Sequence, residues 1–270
     1  MIGDITIGQY FPGNSLIHRL DPRMKTVLVF VLMLEVFFCQ NYISMGVAVL
    51  VTLVIVLISR IKISVILKGM KPILFIVIFT TLLNLLYGTG DPLFRIGFIR
   101  ITQNGINNAV FMALRILILV TTGLMLTYTT TPNQLTDAIE SLLKPLKAFK
   151  VDIHSLAMTM TIALRFIPIL VEEVEKIMAA QKSRGADMES GGLIKRAKAI
   201  VPVLIPLFIS SFRRANELAD AMECRCYRGG EGRTKMKVNH LAALDYIAMV
   251  LVIAYFAGII LLKIYTQSVI

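Results

Sequence analysis

Two arginines stand out by the residues around them. Arg184 lies in Ala-Gln-Lys-Ser-Arg-Gly and Arg225 lies in Ala-Met-Glu-Cys-Arg-Cys. Each arginine follows a run with helical periodicity and has a small residue on both sides. A guanidinium that projects beyond a helix end between small neighbours can enter a groove and bind carboxylates or helix-end carbonyls through several planar donors, which Lys cannot do. The pattern predicts two docking points for a partner surface.

The two arginine segments share a register. A shift of 41 residues, which brings Arg184 onto Arg225, also superposes Ser183 on Cys224 and Gly185 on Cys226. As an internal repeat this is weak, and a single arginine beside a membrane is more often a solvated or lipid-facing charge. The paired, small-flanked context favours docking for both.

The composition is that of an integral membrane protein. Of the 270 residues, 56% are hydrophobic, and the mean hydropathy is +0.75. The net charge of +11 indicates contact with anionic lipid headgroups or acidic protein surfaces and gives little support to nucleic acid binding. The three cysteines and three histidines have no metal-ligand spacing, so we expect neither a metal site nor a cofactor.

Hydropathy predicts five transmembrane helices and an all-α polytopic fold. Asp21 can cap the first helix and Pro22 suits its first position. Arg23 and Lys25 of this helix are predicted at one membrane interface. A loop is predicted from 88 to 105, opening with a Gly-rich break. The predicted spans are 22–39, 43–59, 72–87, 106–128 and 242–262.

Positive charge falls on alternate sides of these spans. The segment between the fourth and fifth spans carries seventeen basic residues, whereas the turn at 40–42 carries none. The positive-inside rule therefore places the amino terminus and this insert in the cytoplasm. The predicted organisation is a cytoplasmic segment 1–21, a four-helix region 22–128, a cytoplasmic module 129–241, a final span 242–262 and an external tail 263–270.

The insert is predicted to be helical. An amphipathic stretch over 133–148 is interrupted by a proline, and two long runs cover 153–182 and 193–224, with a polar loop between them. The second run has an uncharged middle too short to span a bilayer straight. It is therefore expected to lie against the membrane face or against the other long helix.

The chain resembles the transmembrane T component of energy-coupling factor transporters, the vitamin-uptake branch of ATP-binding-cassette importers. The resemblance covers nearly the whole chain. It is carried by Ile-His-Arg-Leu-Asp-Pro-Arg-Met-Lys at 17–25, by Thr-Ile-Ala-Leu-Arg-Phe-Ile-Pro at 161–168 and by the two arginine segments. It implies a bacterial or archaeal cell-membrane protein with long crossed coupling helices. It also implies a non-catalytic role beside two cytosolic ATPase subunits and a substrate-capturing membrane subunit, the S subunit.

Carried over by position, the resemblance makes Arg184 and Arg225 the arginines that dock into the ATPase subunits. Their flanking residues are Ser183, Gly185, Cys224 and Cys226. Cys226 stands where the family has Gly, and the left-handed helix-end conformation is less available to Cys than to Gly. Two apolar stretches are predicted to contact the capture subunit, one from Leu156 to Leu170 and the other from Val201 to Ile209. The chain has no Gly-x-x-x-x-Gly-Lys-[Ser/Thr] loop with which to hold nucleotide phosphates.

Two other functions remain open at this stage. A stand-alone channel or secondary carrier would use Arg115 and Glu35, with Asn84, because ionisable groups at membrane depth are functional candidates. The structural alternative is an interhelical pair or an arginine that snorkels to the interface. A membrane enzyme would need converging carboxylates, and the only tight acidic cluster, Glu172-Glu173-x-Glu175, is predicted to be a solvated helix face.

Overall fold

The computed structural model describes residues 10–86, 92–96, 99–149, 152–186, 192–229 and 241–267. Apart from one short hairpin, these residues form helices, which confirms the predicted all-α class. The elements follow in the order α1 (Leu16–Arg19), α2 (Pro22–Phe38), α3 (Tyr42–Ser59), α4 (Ile63–Leu86), β1 (Pro92–Ile96), β2 (Ile99–Thr102), α5 (Gln103–Thr129), α6 (Pro132–Leu143), a 3₁₀ helix (Lys144–Phe149), α7 (Ile153–Ser183), α8 (Leu193–Cys224) and α9 (Ala243–Gln267).

The chain divides into two compact units. The first, which we call the bundle unit, holds Gly8–Ala138 and Val238–Ile270. The second, the insert unit, holds Ile139–Lys237. The chain therefore leaves the bundle unit within α6 and returns to it shortly before α9.

Among the described residues, five helices are long and apolar enough to cross a membrane. They are α3, α4, α5, α7 and the part of α9 that ends at Tyr265. The number agrees with the prediction, but the members differ. Helix α2, the predicted first span, has 17 residues and a length of roughly 26 Å, slightly less than a bilayer core. Helix α7, predicted to be cytoplasmic, meets the length and composition required, so its place outside the membrane stays a prediction.

Two predicted boundaries were wrong. The third span begins at Ile63 instead of Pro72, and Pro72 lies inside α4. A proline removes one backbone donor, which apolar helices tolerate when neighbouring packing supports the turn. The predicted loop 88–105 contains the antiparallel hairpin β1–β2 and the start of α5, whereas its break at 88–91 lies outside the described residues.

Helix α5 is the centre of the bundle unit, where it packs against α2, α3 and α4. Its Ile118 joins one buried apolar cluster with residues of α2, α3 and α9, and its Met125 and Tyr128 join a second cluster with residues of α3 and α4. Lipid is as apolar as these side chains, so close van der Waals packing, more than burial from water, holds such helices together. Helix α2 contacts both α5 and α9, which places it inside the same bundle.

The insert unit follows the predicted helical runs closely. The amphipathic stretch forms α6 and then a 3₁₀ helix that contains the predicted proline interruption, Pro145. Helix α8 has the predicted bounds, Leu193–Cys224, and its two prolines lie within it. Helix α7 continues through Pro168 to Ser183.

Gly69 of α4 lies against the Tyr128 side chain of α5, and its replacement tests the packing. A methyl group at Gly69 would overlap the hydroxyl group of Tyr128, whose side chain is almost fully buried. We expect Gly69→Ala to lower the free energy of unfolding by about 1–3 kcal/mol through overpacking. The measurement is denaturation of the purified protein in detergent micelles.

Gly46 supplies the matched control, because nothing lies within 4 Å of a methyl group added there in α3. Gly46→Ala should leave stability unchanged or raise it by up to about 1 kcal/mol. Equal stability changes in the two variants would show that the contact between Gly69 and Tyr128 does not limit the packing.

Candidate functional site

Both predicted docking arginines occupy the same position at a helix end. Arg184 is the C-cap of α7, with φ −85° and ψ 6°. Arg225 is the C-cap of α8, with φ −91° and ψ 14°. The two backbones therefore present their guanidinium groups from the same local geometry.

The residue after each arginine turns the chain away from the helix. Gly185 has φ +85° and Cys226 has φ +55°, so both lie in the left-handed region. Cys226 therefore adopts the left-handed conformation, although this conformation is less favourable for Cys than for Gly. An L-residue other than Gly adopts it at a cost of about 1–2 kcal/mol.

The backbone hydrogen bonds show that the two ends are the same motif. At the first end, Ala186 N donates to Gln181 O over 3.0 Å and Gly185 N donates to Lys182 O over 3.0 Å. At the second end, the corresponding pairs are Tyr227 N to Met222 O at 3.0 Å and Cys226 N to Glu223 O at 2.8 Å. This is the Schellman pattern, which satisfies carbonyls that a helix end leaves free.

The side chains at both ends are accessible. The predicted site residues Ser183, Arg184 and Gly185 are exposed, as are Cys224, Arg225 and Cys226. Both cysteines are free thiols. The structure thus leaves each guanidinium flanked by small side chains, as the sequence predicts.

The amino terminus of α7 is held by a local cap. Asp152 accepts hydrogen bonds from the Ser155 hydroxyl at 2.5 Å and from the Ser155 backbone N–H at 3.1 Å. These bonds, the hydroxyl's first, hold the pKa of the Asp152 carboxyl below its ordinary value. The cap is therefore ionised at neutral pH, and its contribution to stability is lost only as the pH falls through that lowered pKa.

Within the insert unit, α7 and α8 pack antiparallel. Near the end of α7, Gln181 Nε2 donates to Pro202 O over 3.4 Å. Near its middle, Glu173 Oε2 pairs with Arg214 Nη2 at 3.0 Å. The early part of α7 and the late part of α8 line a cavity of about 260 Å³, to which Ile162 and Met222 contribute.

These contacts have the order expected of two helices related by an approximate twofold axis. Applying the 41-residue register to the pair Gln181–Pro202 maps Gln181 onto Met222 and Pro202 onto Thr161. Met222 and Ile162, the next residue, share the cavity. Gln181 lies beside Pro202 and Glu173 beside Arg214, so Arg184 is level with α8 residues at about 199–203. Arg184 and Arg225 therefore lie at opposite ends of the overlap between the helices, separated along its axis by roughly 33–39 Å.

The four residues that bound the predicted capture-subunit contact differ in exposure. Leu156, Val201 and Ile209 are exposed, whereas Leu170 is half-buried in the cavity between α7 and α8. Among the described residues of the two long insert helices, α8 carries the larger exposed apolar surface, which extends beyond the predicted stretch to Phe212, 57% exposed. Helical spacing from the predicted stretch could have identified Phe212.

Two of the three polar groups predicted at membrane depth, Arg115 and Asn84, have hydrogen-bond partners on nearby backbone. Arg115 Nη2 donates to the carbonyl of Cys39, the C-cap of α2, over 3.2 Å, and its guanidinium lies 5.8 Å from the Phe37 ring centroid. Asn84 Nδ2 donates to Thr80 O within its own helix. Glu35 is buried beside Tyr255, and the described residues show no ion pair between Glu35 and Arg115. This arrangement supports the structural alternative for Arg115.

The acidic cluster on α7 does not converge. Glu173 faces α8, where it pairs with Arg214 and accepts a hydrogen bond from Ser210 at 3.4 Å. Glu172 and Glu175 are exposed. The cluster therefore serves one interhelical ion pair and a solvated face.

A buried polar cluster in the bundle unit is not predicted by the sequence. Lys25, predicted at the membrane interface, is only 4% exposed, and Asp245, for which the sequence predicts no role, is 1% exposed. The cap predicted at Asp21 is confirmed, because its Oδ1 accepts from Arg23 N at 2.9 Å. An aspartate in the first turn of an otherwise apolar final span was the signal that could have identified the cluster.

The fold and the two arginine ends define a multi-pass α-helical membrane protein with exposed helix-end arginines. Residues 13–236 match the family model CbiQ, described as cobalt transport protein. The chain is 52% identical over 263 residues to the energy-coupling factor transporter transmembrane protein EcfT of Ruminiclostridium cellulolyticum, covering 97% of this chain and 98% of that protein.

Other relatives carry the same name. The protein of Clostridium kluyveri is 51% identical over 92% of this chain and 93% of its own length. That of Bacillus subtilis is 48% identical over 88% of this chain and 90% of its own length. The chain belongs to the CbiQ/EcfT family, the transmembrane components of energy-coupling factor transporters.

The left-handed residue at the second end gives a direct test of the motif. Cys226→Gly removes the Cβ strain, so we expect opening of the α8 end to cost about 1 kcal/mol more than in the wild type. The reciprocal change Gly185→Cys should make opening of the α7 end easier by a similar amount. Both are measured by hydrogen exchange of the amides that close the motifs, Tyr227 N and Ala186 N.

Cys224→Ala is the control, because position 224 is helical and Ala adopts that conformation freely. It should change the protection of the Tyr227 amide by no more than about 0.5 kcal/mol. Protection that falls in Cys226→Gly would show that the cysteine side chain stabilises the turn instead of straining it.

Proposed function

We propose that this chain couples ATP hydrolysis by two cytosolic ATPase subunits to movement of a substrate-capturing membrane subunit. Arg184 docks into one ATPase subunit, and Arg225 docks into the other. The capture subunit selects the cargo, a vitamin or a metal ion, so this chain needs no substrate pocket. The insert unit lies in the cytoplasm, as the distribution of basic residues predicts.

The observation that carries the proposal is the repetition of one helix-end motif at the two ends of an antiparallel helix pair. Two equivalent arginines roughly 33–39 Å apart along the helix pair suit two equivalent receptors better than one. A single ATPase groove would require the arginines side by side. Two similar subunits placed around an approximate twofold axis would each receive one end.

The choice of side chain supports docking. An exposed guanidinium offers a rigid fork of donors to carboxylates or to the carbonyls at a helix end. Small flanking residues such as Ser183 and Cys224 leave that fork unobstructed. Arginine is also the charged residue most often found among the few that dominate binding energy at interfaces.

The outer surface of α8 supports the second part of the proposal. Leu204, Ile205 and Phe208 are each more than half exposed, and they lie on the helix that Arg225 ends. An apolar surface of this kind suits sliding contact with an apolar membrane subunit, because it makes few directional bonds. Movement of either helix end would then be carried along a rigid helix to that contact.

The sequence is consistent with ATP hydrolysis by partner subunits. The chain lacks the Gly-x-x-x-x-Gly-Lys-[Ser/Thr] loop that holds nucleotide phosphates in ATPases of this class. In the proposed assembly the chain is not itself catalytic, and ATP is bound and hydrolysed by the docked subunits.

The test measures recovery of ATPase subunits with the purified membrane protein. We expect Arg184→Ala and Arg225→Ala each to weaken docking by about 30-fold, because truncating a dominant interface arginine costs on the order of 2 kcal/mol or more. The double variant should recover no ATPase activity. Arg184→Lys should behave nearly like Arg184→Ala, because Lys keeps the charge but loses the fork.

Arg213→Ala is the matched control, since Arg213 is an exposed arginine of α8 away from the helix end. It should recover wild-type amounts of ATPase. Undiminished recovery with the double variant would refute docking through these arginines. If no ATPase binds the wild type while the reconstituted chain alone moves a solute, the carrier hypothesis on Arg115 and Glu35 would replace the proposal.

A further inference from the structure

A buried polar cluster joins three helix ends in the bundle unit. It comprises Asp21 and Lys25 of the α2 end, Thr129 and Thr130 of the α5 end, and Asp245 of α9. All five are at most 6% exposed. We call these residues the helix-end cluster.

Lys25 closes the carboxyl end of α5. Its Nζ donates to the Thr129 carbonyl over 3.0 Å and to the Thr130 hydroxyl over 3.2 Å. Thr130 is the C-cap of α5, where carbonyls lack intrahelical partners and the helix dipole is negative. A buried ammonium therefore binds the end of a different helix, 104 residues along the chain.

Asp245 joins the amino ends of α9 and α2. Its Oδ2 accepts from Ala242 N over 2.8 Å, which caps its own helix. Its Oδ1 accepts from Asp21 N over 2.8 Å, and Asp21 is the N-cap of α2. The Asp245 carboxylate also attracts the Lys25 ammonium electrostatically, which offsets part of the cost of burying both charges.

In the sequence, members of the cluster flank the insert on both sides, Thr130 before it and Asp245 after it. After Thr130 the chain proceeds through α6 to the insert unit, and it returns just before Ala242. Lys25 binds the end of α5, from which the chain leaves for the insert, and Asp245 binds Ala242, where the chain returns. Lys25 lies in the first turn of α2, and Asp245 is hydrogen-bonded to the N-cap of α2.

The bundle could be held together at the helix-end cluster without charged residues. Replacing a buried ion pair with apolar residues of similar volume is often neutral or stabilising, whereas a polar network fixes one relative arrangement of the groups it joins. Here that arrangement is the spacing between the departing and returning chain. Hydrogen bonds of defined length hold this spacing more rigidly than apolar contacts, which can slide.

We propose that Lys25 and Asp245 are positioning residues that clamp the two chain connections of the insert to the first turn of α2. Displacement of the insert by the ATPase subunits is then passed to α2, α5 and α9 together. This inference rests on the proposed function, since it assigns the route by which movement of the insert reaches the bundle.

The experiment compares hydrogen exchange in the complex of this chain with its ATPase and capture subunits, with and without the non-hydrolysable nucleotide AMP-PNP. In the wild type, we expect AMP-PNP to change exchange at the two arginine ends. It should also change exchange in the first turns of α2 and α9 and the last turn of α5 by about fivefold or more, the lower range of measured coupling between sites. In Lys25→Met and Asp245→Asn, the response of the three clustered helix ends should disappear while the arginine ends still respond.

The ratio of the exchange rate with AMP-PNP to the exchange rate without it separates a positioning role from a purely structural one. A variant that is only less stable raises exchange equally with and without nucleotide, so its ratio stays at the wild-type value. Lys68→Met, the same change at an exposed position of α4, should also keep the wild-type ratio. Thr130→Val removes one of the two Lys25 bonds with little change of shape and should reduce the ratio partially, so it serves if Lys25→Met fails to assemble.

The outcomes distinguish this inference from the function on which it rests. If AMP-PNP leaves the arginine ends of the wild type unchanged, the proposed coupling itself is wrong. If the arginine ends respond but the clustered helix ends of the wild type do not, only the clamp is wrong. The clamp is equally overturned if Lys25→Met, or Thr130→Val in its place, keeps the full wild-type ratio.

Discussion

The antiparallel contact between α7 and α8 is the constraint on which the position of both arginines depends. Each helix is apolar along much of its length and carries its arginine at the residue where helical geometry stops. The ion pair between Glu173 and Arg214 and the hydrogen bond between Gln181 and Pro202 favour one register of the two helices. One turn of slippage would move each arginine by about 5.4 Å, enough to misplace it relative to a fixed receptor. A polar contact near the centre thus determines the geometry of two distant ends.

The ends of α7 and α8 differ in sequence but have the same backbone structure. Gly185 reaches the left-handed region without cost, whereas Cys226 reaches it because the hydrogen bonds of Tyr227 and Cys226 close the same motif around it. The backbone bonds outweigh a strain of about 1–2 kcal/mol. The guanidinium position depends on the C-cap residue, not on the residue after it. Loss of the Gly therefore changes local stability more than the direction of Arg225.

The sequence predicted what local patterns determine and missed what distant contacts determine. The bounds of α8 were predictable because the polar Gly-rich loop before it and the Gly-rich segment after it interrupt a long helical period. The burial of Lys25 was not predictable, because its partners lie on α5 and α9, far along the chain, and hydropathy alone assigns a lysine beside a span to the interface. The membrane placement of α2 and α7 also depends on distant contacts that local hydropathy does not show. The 17 residues of α2 are held in the bundle by its neighbours, whereas α7 is apolar enough to cross a bilayer on composition alone.

Three charged groups of the bundle unit share one physical role. Helix ends inside or near a bilayer leave carbonyls and amides that water cannot satisfy. Arg115 satisfies the end of α2, Lys25 satisfies the end of α5, and Asp245 satisfies the start of α9. Each charge comes from a residue whose burial would otherwise be expensive, and each binds a group that would otherwise lack a partner. Ionisable side chains at membrane depth therefore do not by themselves indicate a transport pathway in this chain. The arginines at the ends of α7 and α8 differ in that the backbone motif has already satisfied their helix ends, which leaves both guanidinium groups for a partner.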